Sequence, residues 1–246
     1  MRRAFPDARI ARLDRDTASR RGETERVLAE LAAGRVQILI GTQMVAKGHH
    51  FPGVRLVGVI AADQSLHFPD FRAAERTFQL LTQVAGRAGR GPAPGRVVVQ
   101  SFVPGHYAIA AALRHDYESF YQAELAQRAA LGYPPRGRLL QALVSAPEEA
   151  DALACAAELA RLARRGAEAP SGAHAGEDAV RNLAFEVLGP APAPIARLRD
   201  RFRFQVLVKG SDEKRVLAAG RAMARAGAGE SRTARVSVDP NPVNML

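Results

Sequence analysis

The segment Gln83-Val-Ala-Gly-Arg-Ala-Gly-Arg90 places two arginines three residues apart, each after a glycine. Three residues is close to one helical turn, so the two guanidiniums share a face if the preceding helix persists. Gly86 and Gly89 leave room for a ligand to approach the backbone. Forked donors whose charge cannot be lost suit a polyphosphate. The same pattern also describes an arginine-rich helix end in solvent, where positive charge favours the dipole. A second cluster, Thr42, Gln43, Lys47, Gly48, His49 and His50, follows the apolar run Val36–Ile40. Its adjacent histidines invite a metal reading, but the sequence places no third ligand. Asp63 closes another apolar run, Leu56–Ala62, where a magnesium-binding carboxylate would stand. Gln64 follows it instead of an acid, and no phosphate loop of the form G-x-x-x-x-G-K-[ST] precedes it, which favours a structural strand-end role. The densest basic run, Ile195–Arg203, holds Arg197, Arg199, Arg201 and Arg203. It suits a phosphate backbone or an acidic peptide, and equally a solvated hairpin.

These residues need elements to position them. Val36–Ile40, Arg55–Ala62 and Arg96–Phe102 read as strands, alternating with helices over Glu23–Ala33 and Phe71–Ala88. Thr17 or Ser19 is the expected cap of the first helix, and Gly34 its stop. Such alternation implies a parallel sheet covered on both faces, with ligands beyond the carboxyl ends of its strands. Phe68, Phe71 and Phe78 could stack on bases, but the helical spacing of Phe71 and Phe78 favours core. One long helix is expected from His106 to Leu131, stopped by Gly132-Tyr-Pro-Pro135. Beyond it the order reads β-α-β-β-α-β, a split βαβ sandwich. In Arg201–Val208, Phe202, Phe204, Val206 and Val208 face one side; Arg201, Arg203, Gln205 and Leu207 face the other. Residues 166–180 read as a disordered connector and Gly189-Pro-Ala-Pro-Ala-Pro194 as a stiff extended link. The expected units are 1–115, a linking helix and junction at 116–136, and 137–246.

The chain has 246 residues, a formal net charge of +10 and a single cysteine, Cys155. The charge favours an anionic partner. One cysteine excludes an internal disulfide framework and a cysteine-built zinc site, and its Ala/Leu-rich surroundings suggest a buried thiol. No run of 18 apolar residues occurs, so a soluble cytoplasmic protein is expected.

The motif Q-x-x-G-R-x-G-R at 83–90 resembles the last motif of superfamily-2 helicases, which carries the arginine finger. Arg12-Leu-Asp-Arg-Asp-Thr17 resembles another motif of the same motor lobe. Together with Asp70-Phe-Arg-Ala-Ala-Glu-Arg76, Ile40–Pro52 and Leu131-Gly-Tyr-Pro-Pro135, the chain resembles the primosomal protein N′ (PriA) family of replication-restart helicases along nearly its whole length. The resemblance implies a RecA-like second helicase lobe over 1–115, incomplete at its N-terminus, and an α+β C-terminal domain over 137–246. It implies ATP with magnesium, Arg90 as the finger with Arg87 beside it, and Gln83 ordering that contact. Lys47, Gly48 and His49 would approach the nucleotide or the DNA, and Thr42 and Gln43 the DNA backbone. His49 stands where an aspartate often occurs elsewhere in the superfamily, so its role is open. The C-terminal domain would engage branched or single-stranded DNA and the acidic tail of single-stranded-DNA-binding protein, beside other primosome proteins. The family's phosphate loop and zinc module are expected upstream of residue 1, so the chain reads as the C-terminal part of a 3′→5′ motor, without zinc ligands and without ATPase activity of its own. The alternatives are a non-enzymatic DNA- or protein-binding module and, less favoured, a stand-alone nucleotide-binding domain built on Asp63.

Overall fold

A computed structural model describes residues 1–14, 22–42, 53–86, 95–168, 185–229 and 233–245. The chain divides into two compact units: Met1–His67 with Ala73–Tyr121, and Phe68–Arg72 with Gln122–Leu246.

In the first unit, β1 (Ile10–Leu13) and β2 (Ile38–Gly41) pair in parallel, Ile10 opposite Ile38, across helix α1 (Glu23–Ala32). β3 (Leu56–Val59) and β4 (Arg96–Val99) form a second parallel pair, Leu56 opposite Arg96, across α2 (Ala73–Ala85). Parallel strands need such a crossover, which is why apolar runs and helical stretches alternate in the sequence. Among the described residues the four strands make two separate pairs, not one continuous sheet. The core of the β3–β4 pair lies against α2. Phe78 and Leu81 are buried with Ala108, Ile109 and Ala112 of α3 (Tyr107–Leu113) and with Phe120, whose ring stacks on Phe78 at 4.1 Å. Phe78 is therefore a core residue, as its helical spacing predicts.

Two helix boundaries differ from expectation. α1 begins at Glu23 with Gly22 at its N-cap, φ 79°; the expected caps, Thr17 and Ser19, lie outside the described residues. Gly34, at φ 71°, follows its C-cap Ala33. The single helix expected from His106 to Leu131 is two, α3 and α4 (Tyr117–Ala130). His115 lies at φ 53° and breaks the run, and the Asp116 carboxylate accepts the Ser119 amide at 3.0 Å to start α4. An aspartate three residues before that amide is an N-cap signal, overlooked inside a continuous apolar pattern.

The second unit adds β5 (Arg138–Ala146), α5 (Glu149–Glu168), β6 (Glu186–Leu198), β7 (Arg201–Gly210), α6 (Glu213–Ala228) and β8 (Arg235–Asp239). The element order is the expected β-α-β-β-α-β, and the strands form one antiparallel sheet ordered β6-β7-β5-β8. Its helix-covered face buries Leu140, Ala142 and Val144 with Phe204, Val206 and Val208 against α5 and α6. Alternation in β7 thus sorts core from outer face as the sequence predicts. Gly220 packs closely here: a Cβ would run into the Leu140 side chain. Cys155 packs partly buried at the edge of this core, and burial raises its thiol pKa.

The Gly189–Pro194 stretch is not a link. It is the middle of β6, an edge strand with register shifts after Leu188 and after Pro192. Prolines donate no ladder hydrogen bond, and an edge strand with bulges is where a sheet tolerates them. Gly189 turns the strand at φ 101°, where a Cβ would lie 2.7 Å from the Gln205 carbonyl. Residues 169–180 of the expected connector lie outside the described residues; 166–168 belong to α5.

Candidate nucleotide and nucleic-acid interface

Helix α2 carries Gln83, expected to order the arginine contact with the nucleotide. Thr77 is fully buried and its hydroxyl donates to the Ala73 carbonyl at 2.9 Å, while Phe78 and Leu81 hold the helix to the core. The opposite side is free to face solvent, and Gln83, on the last turn, is exposed. Arg87 and Arg90 lie outside the described residues, as do Gln43, Lys47, Gly48, His49 and His50. Thr42 is described; it is exposed directly after the carboxyl end of β2, where parallel strands place ligand-binding residues.

Asp63 is 3% exposed and binds within its own unit. One oxygen accepts the Phe102 amide at 3.0 Å, joining the exit of β3 to that of β4, and His67 Nε2 lies 3.6 Å from the other. The Ser101 hydroxyl first, then the Phe102 amide, hold its carboxyl below the usual carboxylate range against the opposing effect of burial. These bonds fit the structural reading of Asp63. Among the described residues, no group of three His, Cys, Asp or Glu side chains could hold a metal ion.

The basic run around the β6–β7 turn is divided by the sheet. Arg197 pairs in register with Phe202, and its guanidinium lies 5.1 Å from that ring. Phe202 packs on the helix-side core, so Arg197 belongs to that face. Arg199 and Asp200 are the two turn residues, both left-handed at φ 51° and 58°. Arg201 and Arg203 are on the outer face. Arg201 Nη2 donates to the carbonyls of Ser145 and Thr233, both at 2.7 Å. Arg203 is 8% exposed and donates to the Ile195 carbonyl at 3.2 Å. The structure therefore does not bring the four predicted arginines into one row, and it withdraws Arg203 from solvent. In their place the register sets Arg235 opposite Ser145, which is itself opposite Arg203. Arg235 is exposed and was not among the predicted residues. Alternation in Arg235-Val-Ser-Val-Asp239 gives its face, but only strand pairing gives its neighbours.

Asp70-Phe-Arg72 gains a definite place within the second unit. Asp70 is buried, accepts the Arg72 amide at 2.9 Å and receives the Met245 amide at 3.4 Å. The Phe71 ring stacks on Tyr133 at 5.3 Å, with the guanidiniums of Arg72 and Arg128 at 5.3 and 5.2 Å. Lys209 completes the stack over Tyr133 at 5.3 Å and donates to the Leu131 carbonyl at 2.8 Å. Leu139, Leu207 and Met245 form the apolar floor. Phe71 is thus packed in an intramolecular stack, whereas Phe68 is half exposed.

Comparison with known proteins places this architecture. Residues 2–92 match the helicase conserved C-terminal domain, and residues 129–243 match the primosomal protein N C-terminal domain. Replication restart protein PriA of Bacillus subtilis is 42% identical over 246 residues, covering 99% of this chain and 29% of that protein. The PriA of Treponema pallidum is 41% identical over 245 residues, 98% of this chain and 34% of its own length. That of Haemophilus influenzae is 35% identical over 243 residues, 98% of this chain and 31% of its own length. The chain spans about a third or less of these relatives, yet nearly all of it aligns with each. The chain belongs to the PriA family of replication-restart helicases.

Proposed function

We propose that the chain supplies the second, RecA-like motor lobe and the C-terminal nucleic-acid-binding domain of an ATP-dependent 3′→5′ DNA helicase acting in primosome assembly at stalled or branched forks. One observation carries this reading. Helix α2 is fixed by Phe78 and Leu81, exposes Gln83 on its last turn, and continues in sequence into Gly-Arg-Ala-Gly-Arg90 within the stretch matching a helicase domain. Arg90 is the arginine finger, Arg87 its neighbour, and Gln83 orders the contact. ATP with magnesium supplies the phosphoryl group and the charge neutralisation. The phosphate loop that grips them lies outside these 246 residues, because this sequence contains none. Lys47, Gly48 and His49 approach the nucleotide or the DNA, and Thr42 and Gln43 the DNA backbone. The second unit binds single-stranded or branched DNA and the acidic tail of single-stranded-DNA-binding protein, alongside other primosome proteins. A cytoplasmic location follows from this role.

The test is Arg90→Ala in a protein where the chain accompanies the rest of the motor. DNA-stimulated ATP hydrolysis should fall roughly 10³-fold or more, as for arginine fingers generally. An unchanged rate removes the assignment. A second reading, a non-enzymatic DNA-binding module, is favoured for the isolated chain by the lack of a phosphate loop. It predicts salt-dependent binding of forked DNA with neither tight ATP binding nor hydrolysis.

A further inference from the structure

We propose that Arg199, Arg201 and Arg235 form a phosphate-binding row across one end of the antiparallel sheet, which takes the backbone of single-stranded DNA without reading its sequence, and that Arg203 is a positioning residue beneath it. The inference rests on the reading of the second unit as a DNA-binding domain and assigns the surface that binds.

Four observations converge on this end of the sheet. First, register unites residues far apart in sequence: Arg235 on β8 lies opposite Ser145 on β5, and Ser145 lies opposite Arg203 on β7. From β8 to β7 is two strand spacings, about 10 Å, so the row runs across the strands. Second, these cations are uncompensated. Arg26, Arg128 and Arg161 each sit against a glutamate. Among the described residues no carboxylate pairs with Arg199, Arg201, Arg203 or Arg235. Third, two of the charges are fixed. Arg201 is held by the Ser145 and Thr233 carbonyls and Arg203 by that of Ile195. A carbonyl orients a guanidinium without cancelling its charge, so less ordering is lost when an anion binds. Fourth, the tip of the β6–β7 hairpin holds Arg199 at φ 51° and Asp200 at φ 58°. Two-residue turns of this kind favour Asn-Gly. An arginine there accepts backbone strain and projects a charge from the tip.

A phosphodiester chain presents repeated charges for such a row and needs no apolar recess. An acidic peptide is the competing occupant and is separated by the test. Arg197 lies on the opposite face with Phe202 and is not part of the row.

The experiment uses the whole chain, with fluorescence anisotropy of labelled oligothymidylate (dT20) from low to moderate NaCl. Arg235→Glu and Arg199→Glu are compared with Arg221→Glu, an exposed position on α6 carrying the same charge reversal. Each row variant should weaken dT20 binding several-fold. Each should also flatten the slope of log K against log salt by about 0.7, the value for one phosphate contact on a single strand. Arg221→Glu should bind like the parent, and Arg235→Lys should retain most affinity because the charge remains. Thermal melts confirm folding, and if Arg235→Glu does not fold, Arg199→Glu decides. If the parent binds dT20 but the row variants bind equally well, the row is wrong while DNA binding stands. If the parent binds no dT20, the DNA-binding reading itself fails. If Arg235→Glu loses only an Asp/Glu-rich peptide and keeps dT20, the surface is a peptide site and the proposal is overturned.

Discussion

Phe71→Leu keeps apolar bulk at the outer face of the sheet and removes a ring. The ring makes three contacts that leucine cannot replace: the stack on Tyr133 at 5.3 Å and the guanidiniums of Arg72 and Arg128 at 5.3 and 5.2 Å. A stacked aromatic pair contributes about 1 kcal/mol beyond area burial. Each partly desolvated guanidinium over a ring adds roughly 0.5 kcal/mol. Arg128 keeps Glu124 at 2.6 Å, so its own charge is not stranded. The loss should therefore be about 2 kcal/mol, a fall of roughly 4–8 °C in the melting temperature of a domain of this size. The assay is scanning calorimetry of the parent, Phe71→Leu, Tyr133→Leu and the double variant. The cycle should return a coupling of about 1 kcal/mol, the stack alone. A coupling near zero, with Phe71→Leu melting like the parent, would refute the claim that this stack holds residues 68–72 to the second unit.

The glycine in the edge strand and the carboxylate between β3 and β4 give two further tests. Gly189→Ala combines φ 101° with a new Cβ 2.7 Å from the Gln205 carbonyl. It should cost at least about 2 kcal/mol in urea unfolding, since neither the backbone angle nor the carbonyl can easily move; a change within 0.5 kcal/mol of zero would contradict the observed bend. The Asp63 carboxyl is held below its ordinary value of 3.8, chiefly by the Ser101 hydroxyl. A depressed carboxyl stabilises the fold above its unfolded pKa, and that contribution is lost as pH falls through the folded value. The stability gap between the parent and Asp63→Asn should thus be constant near neutrality and close in acid. A gap that widens on acidification would show the sign to be wrong.

Local pattern alone determines much of this chain. Period-2 alternation in Arg201–Val208 identifies the buried face of β7, and the element order of the second unit follows from apolar runs bounded by turn residues. The end of α4 follows from Gly132 and the paired prolines after it. Motif spacing points to the family without any coordinates, because ligand chemistry constrains neighbours in sequence. Other features depend on contacts that local pattern does not contain. Gly189–Pro194 reads as a linker because proline is a poor strand former, and only the edge position of β6 makes it a strand. Asp70 and Phe71 belong to a motif but owe their burial to Met245 and Tyr133, far along the chain. Four arginines in one run look like one surface. Pleating turns Arg197 to the other face, a carbonyl draws Arg203 inward, and strand pairing brings Arg235 in from outside the run. Side-chain direction along one strand has a short period that sequence displays, whereas the identity of the neighbouring strand is fixed only when the whole sheet closes its core.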